Sequence, residues 1–214
     1  MHVLLAGLLL APTTATITVP LAIEQFEQLD RSMMTLSAQF TQSVQGQTAQ
    51  GTFSYRKKDL LRIEHLLPEK QTLVCDGKRV WVWRPANGQV LRSSLADWKR
   101  SQPLAQALLD FGNYAKLLRR YEVSIGTVAA PQPDGHRTFT LVLKPHSSAE
   151  GDFLLTLRLS TRDFFPFESE LRAGSVVTRT TFSALRFNAE LPDALFRFTP
   201  PPGADILDFP VSAP

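Results

Sequence analysis

Four histidines, one cysteine and scattered carboxylates are the side chains of this 214-residue sequence that could carry chemistry. His2, His65, His136 and His146 share no ligand spacing, so no metal site is expected. Asp76 and Lys78 have the types of an acid–base pair. They flank Gly77, however, and Asp-Gly is a strong hairpin signal in which the Asp is needed for backbone hydrogen bonds. Cys75 has no second cysteine to pair with and reads as a small buried residue ahead of that hairpin. A reactive thiol would need an adjacent cation-rich or helix-start environment, and no His or helix start stands next to it. His65 lies in an apolar run and reads as a packed or half-exposed strand residue rather than a base. The chain has no Gly-x-Ser-x-Gly elbow, no phosphate-cradling glycine loop and no His-Glu-x-x-His. The expectation is a protein that is not an enzyme and uses neither cofactor nor metal.

The apolar residues are more informative. Gly51 to Pro85 contains four short apolar runs separated by compact charged turns, with Phe53, Tyr55, Leu61, Ile63, Leu73, Trp81 and Trp83 among them. Trp81 and Trp83, two apart, share one face of a strand. The expectation is that all of these residues, with Phe40, face one way and cover something.

Composition sets the frame. Hydrophobic content of 43% with 20% charged residues is ordinary for a globular chain, and 214 residues suit one domain. The net charge of +3 is scattered, with no run of five Lys/Arg, so no nucleic-acid partner is expected. Val3 to Ala11 is an apolar run followed by Pro12-Thr13-Thr14-Ala15, which reads as a secretory signal over residues 1–22. It is shorter than the roughly 20 residues a membrane span requires. Residues 23–214 then form one exported domain.

Phe26, Leu29, Met33 and Leu36 give an amphipathic helix from Ile23 to Leu36. Strand patterns follow at Ser37–Gln45, through the Gly51–Pro85 unit and at Gln89–Leu95. Asp97 to Leu118, with Leu104, Leu108, Leu109, Leu117 and Leu118 at helical spacing, reads as two short helices forming a lid. Further strands begin near Tyr121, Phe139, Phe153, Phe164 and Val176. One helical turn is expected at Leu191–Leu195, and a terminal strand or arm after Ala204. The fold class is therefore mainly β (α+β): a strongly curved antiparallel sheet, or incomplete β-barrel, of about ten or eleven strands, covered by an N-terminal helix and a short helical lid.

At Gly51–Pro85 the sequence resembles the LolA family, periplasmic carriers that move lipoproteins toward the outer membrane of Gram-negative bacteria. The resemblance rests on Arg56-Lys57-Lys58, Leu61-Arg62-Ile63, Pro68, Leu73-Val74, Asp76-Gly77-Lys78, and Trp81 with Trp83 and Pro85. Leu36–Gln42 and Phe196–Gly203 look like the family's first strand and closing segment. Lys57-Lys58 stands where the family commonly has Arg-Pro, and an Arg fork is not replaced by a Lys point charge.

The resemblance implies a soluble periplasmic monomer that takes an acylated lipoprotein or other lipid from an inner-membrane donor complex to an outer-membrane acceptor. Phe40, Phe53, Tyr55, Leu61, Ile63, Leu73, Trp81, Trp83, Leu104 and Leu108 would line the lipid site, without fixed polar anchors, and Arg56, Lys57 and Lys58 would stand at its rim and lid. Periodicity alone is satisfied equally by a core filled by the helix and by a face that opens for cargo. A regulatory module sensing a lipid or peptide, and a hydrolase built on a curved sheet, are the alternatives.

Overall fold

Thr18 opens the first element by accepting the Leu21 N–H on its hydroxyl at 3.3 Å, and Pro20 supplies a preset φ in the first turn. The resulting helix, α1 (Val19–Ser32), buries Ala22 and Phe26. It starts four residues ahead of the predicted Ile23 and ends four short of Leu36. Met33 N–H closes it on the Leu29 carbonyl at 2.8 Å. Leu36 fits both a helical spacing and the alternation that begins at Thr35. Cross-strand pairing decides, placing Leu36 fully buried between Tyr55 and Phe187.

The computed structural model describes residues 16–101, 113–147 and 152–209. The predicted signal run Val3–Ala11 and the lid leucines Leu104 and Leu108 fall outside them. Twelve strands form one sheet: β1 (Thr35–Val44), β2 (Gln47–Arg56), β3 (Leu60–Leu67), β4 (Gln71–Asp76), β5 (Arg79–Arg84), β6 (Gln89–Ser94), β7 (Glu122–Val128), β8 (Thr138–Lys144), β9 (Phe153–Ser160), β10 (Pro166–Ala173), β11 (Val176–Phe187) and β12 (Asp205–Asp208). Their order is β12-β6-β5-β4-β3-β2-β1-β11-β10-β9-β8-β7. All neighbours are antiparallel except β12, which adds to β6 in parallel. The sheet is long, open and curved, as expected, with one or two more strands than the pattern predicts. A bulge opposite Ala38, with Ala184 at φ 51°, bends the centre where β1 meets β11.

Two short helices, α2 (Leu95–Ser101) and α3 (Tyr114–Arg120), bracket the undescribed 102–112 segment. α3 lies on α1: Phe26 and Tyr114 rings stand 5.4 Å apart, and Glu27 pairs with Arg119. A 3-10 turn at Asp193–Phe196 begins an arm that crosses the opposite face of the sheet and ends in β12. Among the described residues no helix is long and apolar enough to cross a membrane.

Candidate functional site

Register assigns each side chain to a face. Tyr55 pairs with Leu61, Leu61 with Cys75, and Cys75 with Val80; Phe53 pairs with Ile63, Ile63 with Leu73, and Leu73 with Val82. These residues share the face on which α1 and α3 lie, here called the inner face. Phe40, Phe53, Tyr55, Ile63 and Leu73 are each less than 10% exposed on it, and Leu61 packs against them half-buried. Most of the predicted lining is therefore brought together, and in this conformation it is covered.

Trp81 and Trp83 are not part of it. Val74 pairs with Trp81 and Thr72 with Trp83, so both indoles sit on the outer face with Arg62, Val90 and Arg92. Trp81 packs there on Phe198 with ring centroids 5.7 Å apart, beneath the Arg92 guanidinium at 5.9 Å. The hairpin carried the necessary signal. A two-residue loop pairs odd positions with even ones, so Leu73 must share its face with Val80 and Val82 rather than with the tryptophans. The Asp76 carboxylate accepts from the N–H groups of Lys78 and Arg79 at 2.9 and 2.7 Å, which is the turn role expected of it. Burial acts to raise its pKa, but these hydrogen bonds and that from Trp81 outweigh it and leave the carboxyl below its ordinary value.

The inner face also extends further than the sequence reading placed it. Val123, Ile125, Phe139, Leu141, Leu143, Leu155, Leu157, Leu159 and Leu171 continue it across β7 to β10 through paired positions. Their strands were legible by alternation, but nothing local tied them to the Phe53 face. That tie is made by rings: Phe53 meets Phe182 at 5.3 Å, Phe182 meets Phe165 at 6.0 Å, and Phe165 meets Tyr114 at 6.0 Å. Nor is the lining wholly free of polar groups. Gln42 donates to the Thr180 hydroxyl at 3.1 Å, and Ser169 is buried beside it in register.

The basic turn divides three ways. Arg56 turns outward to the Asp193 carboxylate at 2.6 Å and the Leu191 carbonyl at 2.8 Å, over the Phe196 ring. Lys57 donates to the carbonyls of Asp30 and Arg31 at the C-terminus of α1, where the helix dipole favours a cation. Lys58 is exposed, with φ 77°. Lys57 thus touches the covering layer, Arg56 belongs to the outer arm, and α1 and α3 are joined by Asp30.

Two further groups touch the inner face. Cys75 is buried and unpaired, and burial pushes its thiol up to about 11. His65 follows Ile63 on the same face and meets the Phe40 ring edge-on at 5.2 Å. The two rings approach each other over Gly51, where a Cβ would fall 2.7 Å from Phe40 and 2.0 Å from the Glu64 carbonyl. Burial lowers the pKa of His65, and its Nδ1 is buried with no partner among the described residues. No cluster of three metal-ligating side chains occurs among those residues.

A covered apolar face on a curved sheet suits shape-tolerant binding of an apolar guest. Known proteins fit this architecture. The chain is similar to the outer-membrane lipoprotein carrier proteins of Neisseria meningitidis (strain Z2491), 27% identical over 87% of this chain and 86% of that one. It is also similar to that of Pseudomonas fluorescens (strain Pf-5), 28% identical over 95% and 98%. Among solved structures, an uncharacterized conserved protein from Thermus thermophilus superposes with a TM-score of 0.60 at 14% identity, over 89% of this chain and 98% of that one. MucB superposes at 0.52 with 15% identity, over 85% and 62%. The sequence profile of the outer membrane lipoprotein carrier protein LolA matches residues 31–199, from the end of α1 through the closing aromatic segment, and the chain belongs to that family.

Proposed function

We propose that this protein is a periplasmic, non-enzymatic carrier that shields the acyl chains of a lipoprotein, or of another lipid, on its inner face during transfer from the inner to the outer membrane. The observation that carries the reading is the continuity of that face: one apolar surface runs from β5 through β1 to β7 and, among the described residues, is covered by helices rather than by a second sheet. Each buried methylene contributes about 0.8 kcal/mol, so a long acyl chain left in water costs on the order of 10 kcal/mol. Helices that swing away would exchange their own side chains for the guest's. Family membership and the names of the relatives support the cargo class, and an inner-membrane donor and outer-membrane acceptor complete the route.

The test is binding of a fluorescent fatty-acyl probe, with native mass spectrometry of the purified protein. Wild type should bind the probe, and Leu61→Arg, at a half-buried position on the inner face, should weaken binding at least about tenfold, since it sets a charge among the apolar side chains of that face. Absence of any bound or exchangeable lipid, together with unchanged probe binding in Leu61→Arg, would refute the proposal.

A further inference from the structure

Beside the inner face, at the turn end of the β3–β4 hairpin, lies a cleft of about 370 Å³ lined by His65, Leu67, Lys70, Gln71 and Arg84 with the neighbouring turn residues. Its make-up is that of a site for an amphiphile. The register of β3 on β2 shifts between His65 and Leu67, and this turns Leu66 and Leu67 out to solvent, 51% and 53% exposed. Leu67 forms an apolar lip on the cleft. Lys70 makes no ion pair among the described residues. Arg84 donates its Nε to Gln71 at 3.2 Å and makes no ion pair among those residues either, so its two terminal nitrogens can serve a ligand. Glu69 is the one carboxylate in the wall, so Lys70, Arg84 and Glu69 leave a net charge of about +1, which one phosphodiester would neutralise. His65 adds no charge, because burial favours its neutral form. It supplies the connection instead: the ring that walls this cleft is the ring that touches Phe40 on the inner face.

We infer that this cleft is a headgroup site for a phosphodiester, with Lys70 and Arg84 on the phosphate, holding the polar end of an acyl lipid whose chain lies along the inner face past Phe40. The inference rests on the carrier reading for the chain's path, while the headgroup contacts are independent of it. Of the two cargoes in that reading this concerns the second, a lipid other than a lipoprotein, and specifies one with a monoanionic phosphate close to its first chain. Free phosphate offers the same chemistry without the chain.

The experiment compares two single-chain lipids of equal chain length, a lysophosphatidylglycerol and a monoacylglycerol, on the full-length protein and on a Lys70→Gln/Arg84→Gln variant. Both substituted side chains are exposed, so the variant is expected to fold. Wild type should prefer the phospholipid by about fivefold or more, as expected for two solvent-facing charge contacts. The variant should lose that preference while its affinity for monoacylglycerol stays the same. Inorganic phosphate, against chloride at matched ionic strength, distinguishes the sources: if it abolishes the preference the site reads phosphate from any molecule, and if not it reads the lipid headgroup. A wild type without preference, or a variant weakened equally toward both lipids, would overturn the headgroup site and leave carriage intact. Binding of neither lipid would instead overturn carriage and the headgroup site together.

Discussion

The Lys57 ammonium donates to the main-chain carbonyl of Asp30 at 3.1 Å, while the carboxylate of the same Asp30 receives the N–H groups of Tyr114 and Ala115 at 3.1 and 2.9 Å. One residue near the end of α1 therefore ties the basic turn of the sheet to the first turn of α3. These are charge-assisted contacts between elements that must part if the inner face is to open.

Asp30→Ala should remove both bonds to α3 and destabilise the protein by about 1–3 kcal/mol in chemical denaturation. Hydrogen exchange should localise the effect, with the Tyr114 and Ala115 amides losing protection before any strand does. Asp30→Asn, which keeps one acceptor, should lie between the two. Equal loss of protection across the sheet would show that Asp30 acts on the fold as a whole.

The two faces predict different outcomes for two large side chains. Trp81→Ala, on the outer face beneath Phe198, should cost about 3–5 kcal/mol and leave acyl-probe affinity unchanged. Ile63→Ala, on the inner face, should cost about 2–5 kcal/mol and also shift probe affinity. Reduced probe binding by a folded Trp81→Ala protein would reverse the face assignment.

This contrast shows what the sequence could and could not convey. Alternation at Phe139-Leu141-Leu143 and Phe153-Leu155-Leu157-Leu159 is strict, because one side of each strand is buried, and those strands were readable outright. Leu36 was not, since three-four spacing and period two coincide there and only its pairing with Tyr55 and Phe187 settles the matter. Aromatic type suggested a common face for Trp81 and Leu61, whereas hairpin register separates them. The roles of Lys57 and Asp30 depend on approaches between elements distant in the chain, for which a local pattern carries no signal.

The outer arm should respond to acid. Hydrogen bonds from Arg92 to Asp208 and from Arg56 to Asp193 hold both carboxyls below the usual carboxylate range. A carboxyl depressed in the folded state stabilises the fold above its ordinary pKa of about 3.9, and this contribution is lost as pH falls below about 4 through the folded value. Trp81 fluorescence, followed downward from about pH 6, should report release of Phe198 in that window. Asp208→Asn should make the transition shallower. An unchanged profile in that variant would exclude the Arg92 contact as its source.

Cys75 should be inert in the native protein. With its thiol pushed up to about 11 by burial, only about one molecule in a thousand is thiolate at pH 8. A thiol-specific chromogenic reagent should react only after denaturant is added. Rapid stoichiometric reaction under native conditions would mean that the β4 region of the inner face opens readily.

The place of β1 in the sheet has a kinetic consequence. β1 to β6 is a run of neighbouring hairpins, and so is β7 to β11; each can zip up from contacts between segments adjacent in sequence. The β1–β11 ladder alone joins the two runs, and its strands come from opposite ends of the chain. Closing that seam carries the largest loop-closure entropy, which makes it the slow event of folding. Until it closes, the nascent protein is two half-sheets with raw edges at β1 and β11, the interval in which the chain is most exposed to pairing with the wrong neighbour.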